Sequence, residues 1–300
     1  MIIKKLIYSL IFIIILAITF TGILQAQNQN KIELLADNII SSGPAPDGIP
    51  PLETPQYISL EEAETYLNAE DAVFVLETGE DVFVYPQRIM VWHEIVNEEI
   101  AGEKMSITYC PLTGSAIGFY GKISRGETTL GTSGKLVNSN LIMYDRISES
   151  YWPQIFGTAI TEPAKGEKLE RFPVIWSKWK LVRAKYEKAK VLSTDTGYSR
   201  EYNRDPYGSY RENGEDADNY YTNSDLIFPV LAEDNTLNPK DVVIAGEYKN
   251  IDFSILKNKV RKEEEVIFEI EAEQFIARYD SSLDTVRVFV KEEDELIEVV

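Results

Sequence analysis

The side chains with the greatest capacity for chemistry are the single histidine and the single cysteine, which lie close together in the sequence. His93 belongs to Trp92-His93-Glu94-Ile95-Val96-Asn97, and Cys110 to Thr108-Tyr109-Cys110-Pro111-Leu112-Thr113-Gly114-Ser115-Ala116. A cysteine acts as nucleophile or metal ligand in its thiolate form. A turn after Cys110 would aim the amides of Leu112 to Ser115 at the sulfur and depress its pKa, and the hydroxyls of Thr113 and Ser115 would add hydrogen bonds. His93, on a helix packed over this turn, would take the thiol proton. The same pair also suits copper(I), for which sulfur and imidazole suffice, whereas zinc would need two further ligands. Against both stands a plainer reading, in which Cys110 is a small buried hydrophobe and His93 caps a carbonyl.

Downstream residues suit the lining of a pocket. Asn138 and Asn140 are two apart, so on one strand their amides face the same side. Tyr144 follows, and Trp152 with Gln154 would form a wall with a polar tip. Asp145 and Arg146 are expected to form an ion pair rather than to act as a catalytic acid. A later acidic loop with Asp195, Asp205, Asp216 and Asp218 could hold calcium, but it lacks EF-hand spacing. The chain has no P-loop, dinucleotide fingerprint, Gly-x-Ser-x-Gly elbow or zinc pattern.

The elements that must position these groups are mainly strands. Ser59 with Glu62 makes a capping box before a short helix. Residues 73–76 and 82–85 flank a Gly79-Glu80-Asp81 turn as a hairpin, and residues 89–96 form a helix carrying His93. Strands are expected at 105–109, 116–123, 128–130, 141–145 and 155–160, and a helix at 181–189. Residues 194–224 form a long loop whose tyrosines predict an ordered segment lying on the body. The fold class is therefore α+β, predominantly antiparallel β with meander or barrel-like sheets and a few short helices. The last sixty residues read as a degenerate copy of the first sheet. In that alignment Gly246–Ile251 falls on Gly79–Val84, Leu256 on Ile89 and, after a gap of eight, Phe275–Asp280 on Ala116–Gly121, with Ile270–Glu273 in place of the cysteine loop.

Lys4 and Lys5 precede an apolar run from Leu6 to Phe20, and Ala26 offers a cleavage position, so residues 1–26 read as a signal peptide or an uncleaved membrane anchor. Either places the rest outside the cytoplasm, with the membrane touched only through this segment. Residues 27–56 are polar and proline-rich, as in a linker. Residues 57–240 would form the core domain and residues 241–300 a C-terminal β unit packed on it. The net charge of −19 becomes −21 without residues 1–26, which hold two lysines and no acidic residue, and such a field repels nucleic acid. One cysteine in an exported chain forms no internal disulfide.

Taken together, these blocks resemble the family catalogued as domain of unknown function 3179, found in bacteria and archaea. The resemblance rests on Asp47-Gly48-Ile49-Pro50 with Pro55, on the His93 and Cys110 blocks, and on Ser133-Gly134-Lys135-Leu136 with Asn138-Ser139-Asn140. It also rests on Met143-Tyr144-Asp145-Arg146, Trp152 with Gln154, Asp195-Thr196-Gly197 and Asp205-Pro206-Tyr207. It implies no established activity. It does imply selenocysteine at the Cys110 position in some members, which points to a reactive sulfur, and a second cysteine in other relatives where this chain has Thr113. Without that second sulfur a self-contained dithiol cycle is impossible, and an external thiol or redox partner is required. The leading expectation is thus an exported thiol-dependent redox protein. The alternatives are a copper-type or small-ligand binding module and a structural envelope protein.

Overall fold

Runs of β-branched and aromatic residues, broken by turns that demand positive φ, make this chain a series of antiparallel meanders. The computed structural model describes residues 28–210, 219–292 and 295–300. The expected signal peptide or anchor, and Asp216 and Asp218 of the acidic loop, lie outside the described residues.

A first helix, α1 (residues 28–37), is followed by β1 (Ile40–Ser41), β2 (Tyr57–Ile58), α2 (Leu60–Ala63), β3 (Ala72–Thr78), β4 (Asp81–Pro86), α3 (Gln87–His93), β5 (Ile95–Ile100), β6 (Glu103–Cys110) and β7 (Ser115–Tyr120). After a small hairpin of β8 (Lys122–Ile123) and β9 (Gly126–Glu127) come β10 (Leu130–Val137), β11 (Asn140–Asp145), β12 (Tyr151–Pro153), β13 (Arg171–Phe172), β14 (Ile175–Lys178), α4 (Trp179–Lys185) and β15 (Lys190–Leu192). The C-terminal unit is β16 (Val243–Tyr248), β17 (Ile251–Leu256), α5 (Lys257–Glu263), β18 (Glu265–Ile270), β19 (Glu273–Asp280), β20 (Thr285–Glu292) and β21 (Glu295–Glu298).

Three sheets build the larger part, in the orders β1-β10-β11-β12, β13-β7-β6-β5 and β14-β3-β4-β15-β2. The pairings within them are antiparallel except β15 with β4, and none of the sheets closes into a barrel. The β5–β7 sheet is the middle layer. Phe74, Tyr85, Met90, Ile107 and Tyr109 pack on its β3–β4 side. Ile95, Cys110, Phe119, Leu130, Met143 and Trp152 pack on its β10–β12 side. Burial on both faces explains why β6 is buried without alternation from Met105 to Cys110.

Several boundaries differ from expectation. Helix α3 stops at His93 rather than continuing to residue 96. Glu94 takes a left-handed conformation and its amide closes on the Met90 carbonyl, which frees Ile95, Val96 and Asn97 to pair with β6. Residues 155–160 are not a strand: Pro153 ends β12 and Gly157 at positive φ turns the chain. Helix α4 lies at Trp179–Lys185, earlier than residues 181–189. The Ser59–Glu62 capping box is present, on a single helical turn.

Residues 28–56, expected as a spacer, are packed on the body. Ile32 of α1 is buried against Val137, Ile142 and Ile160. Strand β1 pairs with β10, and Leu52 exchanges backbone hydrogen bonds with Ile95 and Asn97 along the edge of β5. The arm passes so close to the bulge in β10 that a Cβ on Gly134 would strike the Pro44 carbonyl. That explains the glycine in Ser133-Gly134-Lys135.

The C-terminal sheet does resemble the first, but in a different register from the one expected. Asp81 corresponds to Ile251, Gln87 to Lys257, Ile95 to Glu265, Glu103 to Glu273 and Ser115 to Thr285, a constant spacing of 170 residues. Cross-strand registers repeat at that spacing, and so do the positive-φ residues Gly79 and Lys249, Glu94 and Glu264, Ala101 and Glu271, and Gly114 and Asp284. The counterpart of Cys110 is therefore Asp280, not the Ile270–Glu273 turn.

Candidate functional site

Cys110 ends β6 and is buried. Two amides point at its sulfur, that of Leu141 at 3.4 Å and that of Thr113, and the Thr113 hydroxyl lies beside it. The expected cup of amides is thus realised by one residue of the turn and one of β11. The expected depression of the thiol pKa is not. Burial pushes the Cys110 thiol up, and the Glu94 carboxylate pushes it further, more than these donors offset.

His93 does not meet the sulfur. Its Nδ1 lies 2.7 Å from the Pro50 carbonyl and its Nε2 lies 2.6 Å from the Tyr202 hydroxyl. A carbonyl only accepts, so Nδ1 carries the proton and Nε2 accepts from Tyr202. Both ring nitrogens are thereby committed, which removes the cysteine–histidine dyad and the two-ligand copper pair as drawn from spacing. Burial holds the imidazole neutral, with its pKa lowered to about 4. Among the described residues no group of three or more His, Cys, Asp or Glu side chains is arranged to hold a metal ion.

What His93 does is hold a strap. Trp92 Nε1 donates to the Arg204 carbonyl at 3.0 Å, and Gln87 Nε2 donates to Asp205 at 2.8 Å. With His93 on Tyr202, α3 pins the described part of the 194–224 loop at three points. Beyond these pins Tyr207, Tyr210, Tyr220 and Tyr221 cover the Cys110 side. Tyr210 and Tyr221 stack at 3.8 Å, Tyr210 meets the Tyr109 hydroxyl at 3.1 Å, and Tyr220 donates to the Leu112 carbonyl at 2.8 Å. A cleft of about 540 Å³ opens on the outer side of this layer, lined in part by Gln87, Asp205, Tyr207 and Tyr210.

Four predicted residues do assemble with the cysteine. Asn140 donates to the Thr113 hydroxyl at 3.1 Å, Thr113 and Ser115 share a 2.8 Å hydrogen bond, and Ser115 donates to Gln154 at 2.6 Å. Gln154 in turn donates to Thr108 and to the Ser115 carbonyl. This chain ties the β10–β12 sheet to the turn after Cys110. Thr113 itself is exposed, so the sulfur lies one residue beneath the surface there.

The remaining predicted residues lie elsewhere. Asn138 accepts from the Leu231 amide at a positive-φ turn, because Asn138 and Ser139 connect β10 to β11 rather than sharing a strand with Asn140. Tyr144 bonds Asp47 on the arm. Trp152 is core, its Nε1 on Asp145 at 3.0 Å. Asp145 caps the turn at Ser148 and Arg146 pairs with Asp47 and Glu53, so no Asp145–Arg146 ion pair forms.

Glu94 is the residue that reading by type overlooked. It is 7% exposed, its carboxyl makes no hydrogen bond among the described residues, and its charge is felt at both Cys110 and Tyr207. Burial raises its pKa to about 8. Its position next to the histidine was visible in the sequence; its burial at the left-handed end of α3 was not.

A family described as "Protein of unknown function (DUF3179)" matches residues 46–298. The chain belongs to this family. No curated protein and no solved structure matches the chain. The matched span takes in the end of the arm, the Cys110 layer, the strap and the C-terminal unit, so the DUF3179 region is larger than the cysteine site alone.

Proposed function

We propose that this DUF3179 protein is an exported thiol-dependent redox protein that acts through Cys110 on an external thiol or disulfide partner. The observation that carries the reading is the convergence of the Thr113 and Leu141 amides on one buried sulfur. A cysteine that merely fills core volume needs no such donors, whereas a sulfur that becomes anionic during reaction does. The exposed Thr113 above it gives a partner sulfur an approach, and the basic-then-apolar N-terminus supports export.

In this reading Cys110 attacks an external disulfide. A new S–S bond forms, the old one breaks, and half of the partner leaves as a thiol. A second external thiol then attacks the mixed disulfide and returns Cys110 to its reduced form. The test is mass-resolved labelling of the native protein with dithiodipyridine and iodoacetamide at pH 8. Stoichiometric modification at Cys110, absent in Cys110→Ser, is expected. A native thiol that stays unmodified for hours, yet reacts after unfolding, would overturn the reading.

A further inference from the structure

We infer that the outer face of the C-terminal sheet is where two copies of this chain meet. In the first unit the corresponding face is covered. Asn97, Ser106 and Phe119 lie side by side on β5, β6 and β7 and are buried, with Asn97 bonded to both the amide and the carbonyl of Leu130 on β10. At the same positions, 170 residues on, stand Ile267, Ile276 and Phe289, neighbours across β18, β19 and β20. No strand among the described residues lies over them. The covered row thus holds an amide and a hydroxyl, and the uncovered row holds three large apolar side chains. A row kept for solvent has the opposite preference, and contiguous exposed apolar surface marks an interaction site.

The edges of the sheet are guarded, which leaves the face. Glu265 and Glu269 stand exposed on β18, and Glu295 and Glu298 on β21. Self-pairing of β18 centred on Ile267 would set Glu265 opposite Glu269, and like charges in that position keep strand edges apart.

The face is complementary to itself. A two-fold axis along β19, in the plane between two stacked sheets, sets Ile267 of one protomer over Phe289 of its partner and Ile276 over its own copy. Glu269 and Lys291 lie on this face two residues beyond Ile267 and Phe289. They are at the same end of the sheet, because β18 and β20 both run antiparallel to β19. The same rotation therefore sets Glu269 over Lys291, twice. Both are exposed, and among the described residues neither has an ion-pair partner; Glu269 accepts only from Gln274, at 3.4 Å. At the other end Arg278 pairs with Glu265 at 2.6 Å, and Arg287 pairs with Glu77 and Glu298, so those cations are already neutralised within each chain. One apolar row flanked by charge fits a weak, concentration-dependent dimer, and dilute protein behaves as the single chain.

The experiment is disulfide trapping of the full chain in a Cys110→Ser background under mild oxidation. Ile276→Cys should give a disulfide-linked dimer. Lys259→Cys should give none, because α5 packs on the opposite face of the sheet. Adding Glu269→Lys should cut the trapping at Ile276→Cys by roughly tenfold, and adding Lys291→Glu as well should restore it. Equal trapping at both cysteine positions, no trapping at either, a disulfide to a different protein, or trapping that Glu269→Lys leaves unchanged overturns the inference. If Ile276→Cys fails to fold, sedimentation of the unsubstituted chain at about 100 µM decides: a dimer that Glu269→Lys dissociates counts for it, and a monomer or an unaffected dimer counts against it.

Discussion

The two repeated units, residues 72–120 and 243–292, share strand order, register and left-handed positions, yet only one carries a thiol site. At the end of the second strand after the helix, β6 in one and β19 in the other, the side chain is Cys110 or Asp280. Both receive donors from the turn that follows: Thr113 for the sulfur, and the Ser282 amide at 2.9 Å for the carboxylate. Asp280 also meets Lys185 and Arg287, and against the effect of burial the Ser282 and Lys185 contacts hold its pKa at about 2. Cys110 lies under the β10–β12 sheet and the tyrosine strap, and burial keeps its proton on. The turn supplies anion stabilisation in both units. What covers it decides whether the group stands as a surface charge or as a buried acid.

The outer row of each sheet makes the same point. Asn97, Ser106 and Phe119 are buried beneath β10, where Asn97 bonds the Leu130 carbonyl at 2.9 Å. Their counterparts Ile267, Ile276 and Phe289 carry no covering sheet, and Ile267 is 56% exposed. The turn of the second unit has become a plug instead. Leu283, the counterpart of Thr113, is fully buried in the first unit's Val73–Val84 core, and Ser177 donates to its carbonyl at 2.7 Å.

Substitutions at paired positions sharpen this contrast. Cys110→Ser should abolish disulfide exchange, and Asp280→Asn should leave the exchange rate unchanged; equal losses would break the assignment of chemistry to one unit. For stability the order reverses. Leu283→Ala should cost about 2–5 kcal/mol by denaturant unfolding, and Thr113→Ala about 1 kcal/mol or less.

Glu94 and His93 should titrate stability in opposite directions. The folded-state pKa of Glu94 is raised from 4.5 to about 8, so the folded protein holds a proton that the unfolded chain releases. Stability should therefore fall by up to a few kcal/mol as pH rises through that window, and Glu94→Gln should flatten the fall. His93 is lowered from 6.5 to about 4, so the unfolded chain takes up the proton first. Its contribution is fully present above pH 6.5 and is lost as pH falls toward 4, which His93→Gln should remove. Unfolding midpoints in urea at closely spaced pH values measure both. In the outer rows Asn97→Val should cost about 1–3 kcal/mol because the Leu130 backbone loses its partner, and Ile267→Thr should give the smallest change, less than about 0.5 kcal/mol.

Much of the scaffold was legible by type. The hairpin at Gly79–Glu80, the capping box at Ser59 and the strand ending at Cys110 follow from local propensity and turn chemistry. The repeat was legible in outline and misaligned in detail, because β alternation matches itself at many offsets while only the left-handed turn positions fix the register. The site was half legible. Thr113, Ser115, Asn140 and Gln154 join Cys110 as their polarity suggested. His93 does not join them, because both its ring nitrogens are engaged by residues remote in the sequence, Pro50 and Tyr202.

By itself the sequence determined an acidic, mainly antiparallel chain with one thiol, no internal dithiol and a basic-then-apolar start. Those properties depend on composition and short-range geometry, which act before any contact forms. Only the tertiary structure decided that the proline-rich arm is part of the body, that the histidine anchors a strap, and that the Glu94 carboxyl is buried. Each of these depends on which surfaces exclude water from which side chain, and burial of that kind arises between residues far apart in the chain.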